Sequence, residues 1–183
     1  MKKLLLLITF IASLITSSHA VDAKEIFASM EELNGKWILS KSKKQQGSCA
    51  FAKETLEKIK VGVAFKYIGM DTAMQEDLLP GTARQMVTMY HCKDIACTTL
   101  KATHYCVKKN QPEFLLNLEK STDEKFVFDC DMSTELCTSD ENHVHQIVHE
   151  LDDEELTIHY NSWKNKQPIK STVCHFEKSE DSF

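Results

Sequence analysis

Residues 79–112 read LPGTARQMVTMYHCKDIACTTLKATHYCVKKNQP and contain two candidate strands joined by a short turn. Cys92 and Cys97 enclose four residues, a spacing that suits two cysteines facing each other across an antiparallel hairpin. Because side chains alternate along a strand with period two, this pairing separates a polar face from a largely apolar one. The apolar face, which we predict to be the inner one, carries Val87, Met89, His91, Leu100, Ala102, His104 and Cys106. The hairpin therefore predicts part of a barrel wall.

Five short runs stand out along the chain: MVTMYH (86–91), THYC (103–106), NQP (110–112), FDCD (128–131) and HVH (143–145). Together with a last hairpin around Trp163 to Phe176, they resemble the signature of a bacterial domain family of unknown function with a lipocalin-like, or calycin, β-barrel. The resemblance covers roughly residues 33–178. It implies the barrel fold and says little about chemistry, because the family has no settled activity.

The N-terminal residues 1–20 are predicted to be a secretory signal peptide. Lys2 and Lys3 precede an apolar run from Leu4 to Ile15, and Ser18-His19-Ala20 is a cleavage site of the small-x-small type. The apolar run is too short for a comfortable membrane span. We therefore expect an exported protein, periplasmic or secreted, without stable membrane insertion, in which residues 21–183 form a single barrel domain.

The charge of the chain excludes one class of partner. The formal net charge is −5, and it becomes −7 without the two lysines of the signal peptide. The chain also lacks a basic block that would follow a phosphate backbone. We therefore expect no nucleic-acid partner.

All seven cysteines follow the signal peptide, and an exported chain meets an oxidising compartment, so disulfides are the expected state. One cysteine must stay unpaired in a monomer. We leave Cys106 reduced because it falls on the apolar face. The expected pairs are Cys92–Cys97, Cys130–Cys137 and Cys49–Cys174. A CxxC motif is absent, which argues against a zinc site built from thiolates.

The remaining patterns place the hairpin in a larger barrel. Residues 22–33 carry apolar side chains at helical spacing, and residues 59–67 alternate like a strand with one wet face. Gly35-Lys36-Trp37 has the Gly-x-Trp pattern that opens the first strand of lipocalin-like proteins. The resemblance implies that Trp37 closes the barrel floor beneath a basic side chain, for which Lys178 is the candidate. We predict an all-β, antiparallel up-and-down lipocalin-like barrel with a short N-terminal helix.

Histidines are the most unusual feature of the predicted inner face. Registering the hairpin 143–160 with Leu151 opposite Glu154 places Tyr160 on that face. By strand parity five histidines point inward: His91, His104, His145, His149 and His175. The ligand-binding candidates are His91, His104, His145, His149 and Tyr160. Each histidine taken singly is more often a hydrogen-bonded core residue. His143 and His145, two apart on one strand, are candidates to hold a metal ion together.

Catalysis has weaker support than binding. The chain has no Gly-x-Ser-x-Gly elbow, phosphate loop or zincin helix. Cys106 and His104 would lie roughly 7 Å apart along one strand, too far for direct proton transfer. No catalytic residue and no particular cofactor are assigned.

Three hypotheses for function remain open. The first is an exported barrel that holds a small, largely apolar molecule in a central cavity. The second is a metal or haem site made by inward-facing histidines. The third is an enzyme that uses a cavity histidine as general base.

Overall fold

A computed structural model describes residues 21–53 and 61–180 of the chain. The predicted signal peptide at 1–20 lies outside the described residues, as does part of the predicted strand at 59–67. Within the described residues, no helix is long and apolar enough to cross a membrane.

Eleven strands follow one another in the described part of the chain: β1 Gly35–Leu39, β2 Val63–Ile68, β3 Ala73–Leu78, β4 Met86–Cys92, β5 Leu100–Tyr105, β6 Glu113–Leu116, β7 Lys125–Cys130, β8 His143–Asp152, β9 Glu155–Lys164, β10 Gln167–Pro168 and β11 Thr172–Lys178. The helices are α1 Ala23–Ser29, α2 Ser48–Lys53 and α3 Glu135–Thr138, with 3-10 turns at Met30–Leu33 and Leu118–Lys120.

Ten of these strands close into a barrel. From β1 to β9 each strand pairs antiparallel with the next one along the chain, and β11 joins β9 to β1. The two-residue strand β10 pairs antiparallel with the end of β9, at Trp163 and Lys164. Closure leaves no unpaired edge among the ten barrel strands. The predicted all-β up-and-down barrel with a short N-terminal helix is confirmed.

Trp37 and the first helix close one end of the barrel. Asp22 begins α1 with a capping box, in which its side chain accepts from Glu25 N at 2.8 Å. The Trp37 ring is fully buried, and its Nε1 donates to Leu33 O at 2.8 Å. Lys178 Nζ lies 5.4 Å from the centre of that ring, within the range of a cation–π contact. The predicted pairing of Trp37 with Lys178 is confirmed, and we call this end the floor.

The interior is filled mainly by large side chains rather than left hollow. The largest fully buried ones are Trp37, Tyr90, Phe65, Phe114, Phe126, Phe128, Phe176, Ile26, Met30, Leu33, Met74 and Leu78. Interdigitating aromatic and aliphatic side chains reach the density of an organic crystal, which leaves few voids. Within the described residues, this packing leaves little of the barrel interior open to a ligand.

Three disulfides join the cysteines in the pairs expected from the sequence: Cys49–Cys174, Cys92–Cys97 and Cys130–Cys137. Cys106 is free. Cys92–Cys97 lies toward the floor, because β4 ends there. The other two lie toward the opposite end, where Cys174 near the start of β11 holds α2 against the barrel.

The register of the β4–β5 hairpin differs from the prediction. Cys92 lies opposite Leu100 rather than Cys97, and Tyr90 lies opposite Ala102. The connection is longer than a four-residue turn, because Cys97 adopts a positive φ of 53° after a turn in which its N–H donates to Asp94 O. This register exchanges the faces of β4. Met86, Thr88 and Tyr90 are buried inside, and His91 lies on the outer face, so its predicted inward placement is wrong.

His145 and His175 also lie outside the barrel. β8 has a bulge between Val144 and Gln146, so the strand reaches Ile147 with its faces exchanged. His145, two residues before Ile147, is thereby turned outward. In β11, Cys174 and Phe176 are the buried residues, so His175 alternates to the outer face. Tyr160 and His149 keep their predicted inward direction, although the hairpin turns at residues 153 and 154, with Leu151 opposite Leu156.

We expect removal of Cys49–Cys174 to destabilise the fold more than removal of Cys92–Cys97. The two bonds close loops of sequence separation 125 and 5. The loss of chain entropy in the unfolded state predicts a stabilisation of about 5 kcal/mol for the longer loop and about 2 kcal/mol for the shorter. Guanidinium unfolding of Cys49→Ala/Cys174→Ala and Cys92→Ala/Cys97→Ala measures the difference. Equal losses would contradict the assignment of the long-range bond as the main covalent constraint.

Candidate functional site

A buried carboxylate occupies the middle of the barrel. Glu76, in β3, is fully buried and accepts hydrogen bonds from the hydroxyl groups of two tyrosines. Tyr90 donates to Oε2 at 2.5 Å, and Tyr160 donates to Oε1. The Nε2 of His149 lies 3.3 Å from Oε2. The side chains of β4, β8 and β9 thus meet on one acidic group of β3, which we call the Glu76 cluster.

The cluster keeps Glu76 ionised despite its burial. Desolvation raises the pKa of this carboxyl, but hydrogen bonds from His149, Tyr160 and Tyr90 and the attraction of His149 together lower it below its ordinary value. Burial and the negative charge of Glu76 raise the pKa values of Tyr90 and Tyr160 well above 10. The tyrosines therefore remain hydrogen-bond donors to a buried anion.

His104 lies beside the cluster and has one ring nitrogen without a partner. Its Nδ1 lies 2.9 Å from Thr88 Oγ1, and its ring centre lies 5.7 Å from that of Tyr160. Burial lowers the pKa of His104 from 6.5 to about 4, so the ring is neutral near pH 7. Among the described residues, nothing hydrogen-bonds the buried Nε2. Such an unmet polar atom costs free energy unless water or a ligand satisfies it.

A small cavity adjoins His104 at the end of the barrel opposite the floor. Its volume is about 50 Å³, and its lining is mixed: Ser48, Met86, His104, Cys106, Val107, Lys108, Val144, Tyr160, Ser162 and Thr172. Ordinary ligand pockets hold roughly 300–1,000 Å³, so this space suits water or a molecule of a few heavy atoms. We call it the mouth cavity.

One loop, residues 106–110, covers the mouth cavity. Lys108 Nζ donates to Ser162 Oγ at 3.1 Å, and Asn110 Nδ2 donates to Asn142 O at 3.0 Å. Burial lowers the pKa of the Lys108 ammonium. These two side-chain hydrogen bonds tie the loop to β9 and to the start of β8. Displacing it would enlarge the cavity without unfolding a strand.

The structure brings together three of the five predicted ligand-binding residues. His104, His149 and Tyr160 lie inside, and Tyr160 connects the mouth cavity to the Glu76 cluster. His91 lies on the outer face, where its Nδ1 is 2.8 Å from Cys92 O. His145 lies on the outer wall beside Trp163, with the two rings stacked at 3.9 Å. Neither His91 nor His145 therefore belongs to the interior site.

The metal candidates His143 and His145 do lie together, outside the barrel. His143 Nε2 is 3.0 Å from His145 Nδ1. The sulfur of Cys130 completes a group whose donor atoms all lie within 4.8 Å of one another. That sulfur is bonded to Cys137. His145 and Cys130 line a groove of about 520 Å³ on the outer wall.

Three residues of this interior were not predicted from the sequence: Glu76, Tyr90 and Thr88. The missed register of β4 assigned Tyr90 and Thr88 to the wet face. Glu76 did have a signal, because it alternates with Met74 and Leu78 on what is the buried face of β3. A carboxylate that has apolar residues two positions before and after it on a strand indicates a buried acid with hydrogen-bond partners.

Comparison of the chain with models of known protein families, with curated proteins and with solved structures finds no match.

We expect acid to destabilise the fold partly through His104. Between pH 6.5 and 4 the unfolded chain binds a proton at this histidine and the folded chain does not. The folded state therefore loses stability as the pH is lowered from 6.5 to 4. The loss is up to about 3 kcal/mol. His104→Gln should remove this share of the pH dependence, and His91→Gln, on the outer face, should retain it. Unfolding free energies at pH 7, 5.5 and 4 measure the difference, and parallel curves for all three proteins would refute it.

We expect Tyr160→Phe to cost about 1.5–3 kcal/mol, because it removes a donor to a buried charged acceptor. Tyr105→Phe is the matched control, since Tyr105 is 49% exposed and should change stability by no more than about 0.5 kcal/mol. Chemical denaturation at pH 7 compares the two. A Tyr160→Phe protein as stable as the control would mean that Glu76 does not depend on this hydroxyl.

Proposed function

We propose that this chain is an exported, lipocalin-like binding protein that holds a small molecule in the mouth cavity. The molecule has an apolar body and one polar group. His104 hydrogen-bonds the polar group, the Tyr160 ring borders it, and Lys108 lies at the entrance. Glu76, Tyr90 and His149 position Tyr160 from behind and do not contact the ligand.

The buried Nε2 of His104 is the observation that carries this proposal. It belongs to a residue that lines the cavity and is 1% exposed. Satisfying such an atom is worth roughly 1–3 kcal/mol to a ligand that reaches it. The Thr88 hydroxyl both donates and accepts, so Nε2 can meet either a donor or an acceptor on the ligand.

The size of the cavity defines how a ligand enters. A molecule of a few heavy atoms fits the space as it stands. A longer one requires the loop 106–110 to move, which breaks the Lys108–Ser162 and Asn110–Asn142 hydrogen bonds. The Lys108 ammonium is then free to pair with the ligand. A volume of about 50 Å³ favours such a molecule over a haem group.

Lys108 selects the chemical class of the polar group. An ammonium offers three donors and no acceptor, so it favours a carboxylate or a similar oxygen-rich group. Met86, Val107 and Val144 provide the apolar part of the lining. Short-chain carboxylic acids combine both features and are the natural probes.

Export and family membership belong to the same proposal. Three disulfides support an oxidising compartment, the periplasm or the exterior of the cell. The Gly-x-Trp pattern, with Lys178 over Trp37, supports membership of the lipocalin-like family.

We expect at least one of butyrate, hexanoate and octanoate to bind with a stoichiometry of one. His104→Ala should weaken that binding by roughly 5- to 150-fold, the equivalent of about 1–3 kcal/mol. Isothermal titration calorimetry of the mature protein at pH 7 measures both quantities. Circular dichroism establishes that each variant keeps its fold.

His91→Ala is the matched control, because it removes a histidine of the same hairpin from the outer face. It should bind the acids like the wild type. The matching alcohols should bind more weakly than the acids if Lys108 pairs with the polar group. Failure of every acid to bind, or an equal loss in both alanine variants, would overturn the proposal.

A further inference from the structure

A pair of histidines on the outer wall forms a second candidate site, separate from the mouth cavity. The β8 bulge turns His143 and His145 away from the interior, so both lie on the same outer side of the strand. His143 is 1% exposed and His145 is half-buried. The groove beside them, lined by His145 and Cys130, offers an ion a route to the pair.

The backbone determines which nitrogen of His143 is available. His143 Nδ1 lies 2.7 Å from Glu141 O, and a carbonyl oxygen only accepts, so Nδ1 carries the hydrogen. In its neutral form the ring presents the lone pair of Nε2 to His145. A backbone carbonyl that holds the far nitrogen of an imidazole is the usual outer support of a metal-ligating histidine.

The second ring is also held in place. Trp163 stacks on His145 with ring centres 3.9 Å apart and planes 15° apart. His145 Nδ1 faces His143 Nε2 at 3.0 Å. Two nitrogens bound to one zinc ion at 2.0–2.1 Å and a tetrahedral angle lie roughly 3.4 Å apart, so a shift of a few tenths of an ångström admits the ion.

We propose that His143 and His145 bind a divalent transition-metal ion such as Zn²⁺ or Cu²⁺, and that Cys130 becomes a third ligand when the Cys130–Cys137 disulfide is reduced. The sulfur already belongs to the group of donor atoms that lie within 4.8 Å of one another. Imidazole and thiolate are donors that zinc and copper prefer. Water molecules occupy the remaining coordination positions of the ion.

Protons and electrons balance in both states. On binding, His145 releases its Nδ1 proton to solvent and takes one up at Nε2, with no net change. Reduction requires a dithiol, which transfers two electrons and two protons to the Cys130–Cys137 disulfide. The products are two protein thiols and the disulfide form of the reductant. The Cys130 thiol then loses its proton to solvent as its sulfur binds the ion.

The first test uses the oxidised protein and the metal alone. We expect equilibrium dialysis to retain one equivalent of Cu²⁺ or Zn²⁺, and Cu²⁺ to quench the fluorescence of Trp163. His145→Ala and His143→Ala should each weaken retention at least about tenfold. His159→Ala removes an outer histidine of the adjacent strand and should bind like the wild type. Trp163→Phe should keep the metal and lose most of the quenching.

The second test isolates the sulfur without a reductant. Cys137→Ala leaves Cys130 as a free thiol beside the two histidines, and we expect it to bind Zn²⁺ at least about tenfold tighter than the wild type. Cys130→Ala/Cys137→Ala lacks the thiol and should bind Zn²⁺ no more tightly than the wild type. Equal affinities in these two variants would overturn the role of Cys130. If both histidine variants retain as much metal as the wild type, the proposed site is wrong.

Discussion

The ionised carboxylate of Glu76 is the constraint around which the barrel interior is arranged. A carboxylate removed from water without partners costs many kcal/mol, so a fold that buries one must supply donors to it. Here the donors are Tyr90, Tyr160 and His149, which come from three different strands. The acid on β3 is therefore satisfied only when β4, β8 and β9 stand in their native register. Apolar packing surrounds this cluster and keeps water from replacing its members.

Strand parity then decides which polar residues share that interior. A shift of the pairing by one residue exchanges the two faces of a strand, and the faces differ from the prediction in β4, in β11 and in the part of β8 before its bulge. The wider β4–β5 connection brings Thr88 and Tyr90 inside and leaves His91 outside. The bulge in β8 keeps His149 inside and moves His145 outside. The bulge in β8 lies next to His143 and His145, and bulges are often found beside functional sites.

The two sites differ in the chemistry that their surroundings permit. In the mouth cavity, burial keeps His104 neutral and leaves its Nε2 for a hydrogen bond to a small molecule. On the outer wall, His143 and His145 lie beside an open groove, with their rings turned toward each other and a sulfur nearby. Neither His143 nor His145 lines the mouth cavity, although Ser162 borders both the cavity and the groove.

The resemblance to lipocalin-like proteins implied the closure of the floor by Trp37 beneath Lys178. The sequence itself predicted the barrel and the short cysteine pairs Cys92–Cys97 and Cys130–Cys137, and Cys49–Cys174 followed by elimination. Period-two alternation, turn residues and cysteine spacing are local signals, and each is readable over a few residues. It also predicted that His104, His149 and Tyr160 face inward. The outward direction of His91, His145 and His175, and the role of Glu76 as shared partner of two tyrosines, followed only from the folded structure. Those outcomes depend on the register of distant strands and on one inserted residue, and neither the length of a connection nor a bulge leaves a regular pattern in the sequence.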